Sequence, residues 1–161
     1  MALVSGRRFG LSLRGWRILL ICWMAMIFLI SSHLLANTAS FDSTGLLFGS
    51  INYVARKMAH VAEYAILAYL WFRSLWSRRE GFRRAVFWSL VLSVLYAVTD
   101  EFHQSMVPER LGVWTDVLFD AAGALLACAL LVYSRYHAAG GLRLILLGPL
   151  GDTVPTEGET A

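Results

Sequence analysis

Four apolar runs, each near the length of a membrane-crossing helix, leave this chain few folds to choose from. A helix needs about 20 residues to cross the hydrocarbon core of a bilayer. The first run extends from about Trp16 to Leu35, and Ile18–Ser32 carries no charge. The second extends from about Tyr53 to Leu75, the third from near Ala85 to Met106, and the fourth from about Val113 to Tyr133. Of 161 residues, 58% are hydrophobic and 16% charged, against about 45–50% and 25% in soluble domains. The expected fold is all-α: an integral membrane four-helix bundle.

The basic residues orient the runs. Of the 14 Lys and Arg residues, 11 flank the runs on one side: Arg7, Arg8, Arg14, Arg17, Arg73, Arg78, Arg79, Arg83, Arg84, Arg135 and Arg143. Lys and Arg collect on the cytoplasmic side of membranes. Both termini and the Arg73–Arg84 loop are therefore expected in the cytoplasm. The Asn37–Asn52 segment and the Val107–Gly112 turn are expected outside. This divides the chain into a basic tail (1–15), a four-span domain (16–137) and a C-terminal tail (138–161). Within that tail Leu142–Leu147 is too short to span and is expected at the interface; Gly151–Ala161 is polar, acidic and expected to be disordered.

Other classes fit less well. Ala36-Asn37-Thr38-Ala39 is a poor signal-peptide cleavage site, so the first run is read as a retained anchor. Cys22 and Cys128 each lie inside an apolar run and read as core residues, not a disulfide. The pI of about 9.1 does not imply nucleic acid. The Arg residues sit at the ends of apolar segments, and neither zinc-finger spacing nor basic–aromatic interleaving accompanies them.

The polar residues inside the runs form stripes. At 100° per residue, Arg56, Lys57, His60, Glu63 and Tyr64 fall within an arc of about 120° on the second run. Asp100, His103 and Gln104 share one face at the end of the third, while Glu101 points about 100° away, toward a neighbouring helix or the outer interface. Asp116 and Asp120, four residues apart, share a face of the fourth. Gly123 and Ala127 continue that face, where small residues let helices approach closely. Alternating directions bring all three stripes, with Arg110 in the turn, to one level in the outer half of the bilayer. Seven of the 11 acidic residues belong to this side. Unpaired charges are costly there, so they are expected to meet between the helices.

These motifs resemble the VanZ-like family: Arg56-Lys57-x-x-His60-x-x-Glu63-Tyr64, then Asp100-Glu101-x-His103-Gln104, then Pro108-x-Arg110, Asp116 and Gly123. The match covers about residues 56–127, the core motif region. Family members often carry Gly at Glu109 and Asn at Asp120, so this chain adds an acid to the cluster. The resemblance implies a multi-pass protein of the bacterial cytoplasmic membrane, with a role in the cell envelope or in susceptibility to glycopeptides such as teicoplanin.

Three readings fit the stripes. In the first, a polar site binds a lipid-linked cell-wall precursor or a glycopeptide at headgroup depth, with Arg56, Lys57, Glu63, Tyr64, Glu101, Gln104, Arg110 and Asp120 as ligand-binding residues. Proton-linked transport is a variant. In the second, a hydrolase or transferase uses His60 or His103 as a base, oriented by Asp100 or Asp116. A diagnostic nucleophile motif and a phosphate-binding Gly-rich loop are missing from the sequence. A metal version would use His60-x-x-Glu63 and Asp100-x-x-His103. Nearby cations and the reversed order of one pair argue against it, and no metal ligands or cofactor are assigned. In the third, the polar residues only hold helices together, although such contacts contribute only about 0.6 kcal/mol each on average. Membrane lipid is the expected surrounding partner. Four short spans suit a transporter only if the protein oligomerises.

Overall fold

The computed structural model describes residues 11–32, 45–76, 81–106, 114–137 and 145–148; the side chains of 45–53 and of Arg56 lie outside that description. The four runs form four long helices: α1 (Leu13–Ser31), α2 (Gly45–Leu75), α3 (Phe82–Ser105) and α4 (Thr115–Tyr136). Ser12 caps α1 by accepting a hydrogen bond from the Gly15 N–H at 3.2 Å. At the other end the Ser32 backbone N–H and hydroxyl both donate to the Phe28 carbonyl, at 2.9 and 2.7 Å. α1 thus ends at Ser31 with the Phe28 carbonyl doubly bonded, a few residues short of the expected end at Leu35.

Three of the four helices, α1, α3 and α4, are long and apolar enough to cross a membrane. By composition α2 is not, because Lys57, His60 and Glu63 lie near its middle. Its place in the bundle explains how it carries them. α2 packs against each of the other three helices, most extensively α4, so its polar side chains face protein. α1 is the opposite case, peripheral and with Ile18, Ile21, Phe28 and Leu29 exposed along its outer side. At 31 residues, α2 is about 46 Å long, longer than the roughly 30 Å hydrocarbon core. It begins at Gly45, well before the expected Tyr53.

The helices alternate in direction, giving the bundle a polar end and a basic end. Between them, Leu20, Ile27, Tyr64, Leu67, Leu70 and Ala97 join α1, α2 and α3. Ala68, Ala124 and Ala127 line the tight α2–α4 seam. Gly123 sits there directly against the Val61 backbone: a Cβ at position 123 would lie 2.1 Å from the Val61 carbonyl oxygen. The small-residue face read from the sequence is therefore a helix contact, as expected.

The C-terminal turn packs into the bundle. Residues 145–148 form a single helical turn, and Leu147 is fully buried with Phe72, Trp76, Ala85 and Leu131. Arg73 anchors the turn from below. Its guanidinium donates to the Leu146 carbonyl (3.4 Å) and the Tyr69 hydroxyl (3.0 Å), and lies 4.2 Å from the Trp16 ring centroid. Gly148, at φ 65°, packs over that guanidinium in a left-handed conformation that side chains disfavour. Leu147→Ala is expected to lower stability by about 2–4 kcal/mol, as other large-to-small core changes do. Thermal unfolding of purified protein checks this; a shift below about 2 °C would mean the turn does not contribute.

Candidate functional site

At the polar end, the side chains meet in two groups that share one interior. The first lies between α2 and α4. Lys57 pairs with Asp116, and one turn deeper His60 Nδ1 meets Asp120 Oδ1 at 3.1 Å. The i, i+3 and i, i+4 spacings that put Lys57 with His60, and Asp116 with Asp120, on single faces set this ladder. Asp120 is almost fully buried, with 2% of its side chain exposed. The tight contact at Gly123 lies one further turn along the same seam.

The second group lies between α1 and α3. Asp100 Oδ2 accepts from the Ser31 hydroxyl at 2.9 Å and from Gln104 Nε2 at 2.8 Å, and Gln104 also reaches Ser31 at 3.3 Å. His103 lies on the same helix face. Its Nε2 is 3.2 Å from Ser32 Oγ, and its ring stacks on Phe28 at 4.5 Å. The Ser32 hydroxyl donates its single proton to the Phe28 carbonyl, so His103 is placed to donate to Ser32 and not to activate it. Further in, Trp23 Nε1 donates to the Glu63 carbonyl (3.1 Å) and the Tyr96 hydroxyl to the Met24 carbonyl (2.7 Å).

Tyr64 and Glu63 join the groups. The Tyr64 ring, fully buried, packs 6.4 Å from that of Tyr96. It lies within electrostatic reach of both Asp100 and Asp120, as does Glu63. Among the buried polar atoms of this interior, the Tyr64 hydroxyl, a donor, and Asp100 Oδ1, an acceptor, have no hydrogen-bond partner among the described residues. Buried polar atoms left this way cost about 1–3 kcal/mol each, and such exceptions point to a functional constraint. The carboxyls of Glu63, Asp100, Glu101, Asp116 and Asp120 face one Lys ammonium among the described side chains of this end.

Several sequence expectations change here. α1 was not counted in the site, yet it supplies Ser31 and Ser32. The readable signal was a pair of hydroxyls ending an uncharged run at the level of the other polar groups. Of the two imidazoles, His60 has a carboxylate partner; His103 meets a hydroxyl and an aromatic ring instead. Asp100 holds Ser31 and Gln104, and Asp116 holds Lys57, so neither orients His103 as a base. Glu101, read as facing a neighbouring helix or the outer interface, is buried, with 4% exposure. Arg110 and the Arg56 side chain, both expected in the site, lie outside the described residues. Among those described, no three His, Cys, Asp or Glu side chains converge as a metal-ligand set.

A family model described as VanZ/LLP1 matches residues 16–135. That span takes in all four helices, including α1, whose Ser31 and Ser32 complete the second group. No curated protein and no solved structure matches the chain.

Proposed function

We propose, for a chain that belongs to the VanZ/LLP1 family, that the polar end binds the head group of a lipid-linked cell-envelope molecule or a glycopeptide. In this reading all four helices span the bacterial cytoplasmic membrane with both termini inside, and the polar end faces outward. The distribution of charge supports that orientation. Arg14, Arg17, Arg73, Arg83, Arg84 and Arg135 belong to the end of the bundle opposite Asp100 and Asp116. An effect on teicoplanin susceptibility would follow from capture of the drug or its envelope target.

One observation carries the reading: Asp100 Oδ1 and the Tyr64 hydroxyl are buried without hydrogen-bond partners among the described residues. A group that both donates and accepts, such as a sugar hydroxyl, can satisfy either atom. A phosphate, having no proton when ionised, cannot satisfy Asp100. The buried carboxyls are reached by displacing α1, which is tied to α3 at this end by the Ser31 and Ser32 contacts. Asp100→Asn is expected to weaken retention of a lipid-linked cell-wall precursor at least about tenfold, since a hydrogen bond to a charged group contributes about 1.5–3 kcal/mol. Co-purification followed by mass spectrometry measures it. Equal retention by wild type and variant removes Asp100 from the site.

A second reading rests on the His60–Asp120 pair, an imidazole held by a carboxylate as in a general base. The same incubation tests it. A product of altered mass, lost in His60→Gln, supports hydrolysis or transfer; unaltered ligand supports binding alone.

A further inference from the structure

One pair of residues binds the Ser31 hydroxyl on both its donor and its acceptor side. Ser31 donates to Asp100 Oδ2 at 2.9 Å and accepts from Gln104 Nε2 at 3.3 Å. Asp100 and Gln104 lie four residues apart on α3, so one turn of helix presents both on one face. Gln104 Nε2 also donates to Asp100 Oδ2 at 2.8 Å, which fixes the amide against the carboxylate. A carboxylate that accepts beside an amide that donates makes a seat for a group that does both, and a hydroxyl is such a group. The seat lies in the interior: Asp100, Gln104 and Ser31 are 5%, 8% and 5% exposed. The hydroxyl that fills it comes from α1, which of the three apolar helices has the smallest buried share. Ser32, next along, bonds the Phe28 carbonyl and His103 instead.

The geometry points to Ser31 as a built-in competitor: its hydroxyl occupies the place at which a ligand hydroxyl binds Asp100 and Gln104, and the ligand enters by exchanging for it. The inference rests on the head-group reading above and adds how the site is held closed. Access to the buried carboxyl requires the end of α1 to move, and Ser31 leaves with it. Asp100 Oδ2 and Gln104 Nε2 are then each one partner short, in an interior where unmet polar atoms are costly. A ligand hydroxyl restores both bonds at once. An ionised phosphate oxygen restores only the Gln104 bond and repels the carboxylate. Without ligand the exchange runs backward and α1 closes. Deeper along α1, Trp23 donates to the Glu63 carbonyl and the Met24 carbonyl accepts from Tyr96, so the helix stays in the bundle while its end is released. Displacing Ser31 lowers the apparent affinity, as for any protein whose binding-competent state is the minor one.

The test loads full-length protein in phospholipid nanodiscs with the lipid-linked cell-wall precursor over a range of concentrations, and measures retained precursor by mass spectrometry. Ser31→Ala removes the competing hydroxyl and is expected to raise the apparent affinity about five- to tenfold. Ser32→Ala loosens the same end of α1 without freeing the Asp100–Gln104 pair, and is expected to leave the affinity unchanged. Ser31→Ala/Asp100→Asn is expected to bind as weakly as Asp100→Asn alone. Spin labels at Leu29 of α1 and Leu118 of α4, both exposed, follow the end of α1 in a Cys22→Ala/Cys128→Ala background. Precursor is expected to lengthen their separation by about 5 Å, on the order of one helical turn. Ser31→Ala should show the longer separation in part of the population before precursor is added. Three results overturn the competitor and leave the head-group site standing. Ser31→Ala leaves retention unchanged or weakens it as Asp100→Asn does; Ser32→Ala strengthens retention as much as Ser31→Ala; or precursor is retained with no change in label separation. If Asp100→Asn retains as much precursor as wild type, the head-group site fails and the competitor falls with it.

Discussion

Alanine at position 123 is expected to lower the melting temperature of the purified protein by about 6–12 °C. The added Cβ would lie 2.1 Å from the Val61 carbonyl oxygen, 2.9 Å from its carbon and 3.0 Å from Val61 Cα. All three are backbone atoms, so no flexible side chain can swing aside. Ordinary contact distances require α2 and α4 to part by more than about 1 Å along the seam. Overpacking of this kind costs up to about 3 kcal/mol, and in a chain this long each kcal/mol shifts the midpoint by about 2–4 °C. The damage extends beyond the contact itself. Lys57–Asp116 and His60–Asp120 lie on the same seam, so separation loosens both pairs. Gly123→Leu is expected to yield no monodisperse protein. Thermal unfolding followed by tryptophan fluorescence, with size-exclusion chromatography, measures both variants. A Gly123→Ala protein as stable as wild type would refute the close approach of the two backbones.

The second large effect concerns His60. His60→Leu strips Asp120 of its hydrogen-bond partner while the carboxyl stays buried, with 2% of its side chain exposed. Removing one member of a buried pair costs about 3–5 kcal/mol. Asp120→Asn should cost less, since an amide still bonds the imidazole. The double variant His60→Leu/Asp120→Leu is expected to recover most of the stability lost in His60→Leu, because apolar replacement of a whole buried pair is often close to neutral. That recovered protein separates adhesion between helices from a site. If it folds and no longer retains or alters the precursor, the pair belongs to the functional machinery. If it folds and behaves as wild type toward the precursor, His60 and Asp120 serve only to hold α2 against α4. A double variant no more stable than His60→Leu would show that the two residues do not act as a pair.

Helix faces were legible from the sequence because they follow from periodicity alone. Spacings of three and four residues put Asp116 with Asp120, and Asp100 with His103 and Gln104. Both groupings hold in the structure, as does the small-residue face at Gly123. Which face meets which helix was not legible, since it depends on rotations and crossing distances that no single segment encodes. The sequence therefore offered every carboxylate to every cation, whereas the bundle sorts them: Lys57 to Asp116, and Asp100 to two uncharged donors. Ser31 and Ser32 were overlooked for a related reason. Hydroxyls at the end of an apolar run carry no charge to mark them, and their role emerges only once α1 lies beside α3. Leu147 shows the limit of length as a guide. A segment too short to span can still bury a side chain when the bundle leaves a gap between Phe72 and Leu131.

The central placement of α2 has a consequence for biogenesis. Under the four-span reading, α1, α3 and α4 can each enter lipid on their own hydrophobicity, while a solitary α2 would expose Lys57, His60 and Glu63 to acyl chains. Its residence in the bilayer therefore depends on α4, which emerges from the ribosome some forty residues later. Until Asp116, Asp120 and Gly123 arrive, the segment is expected to need shelter from lipid. Mutations in α4 should then appear first as failed topology of α2.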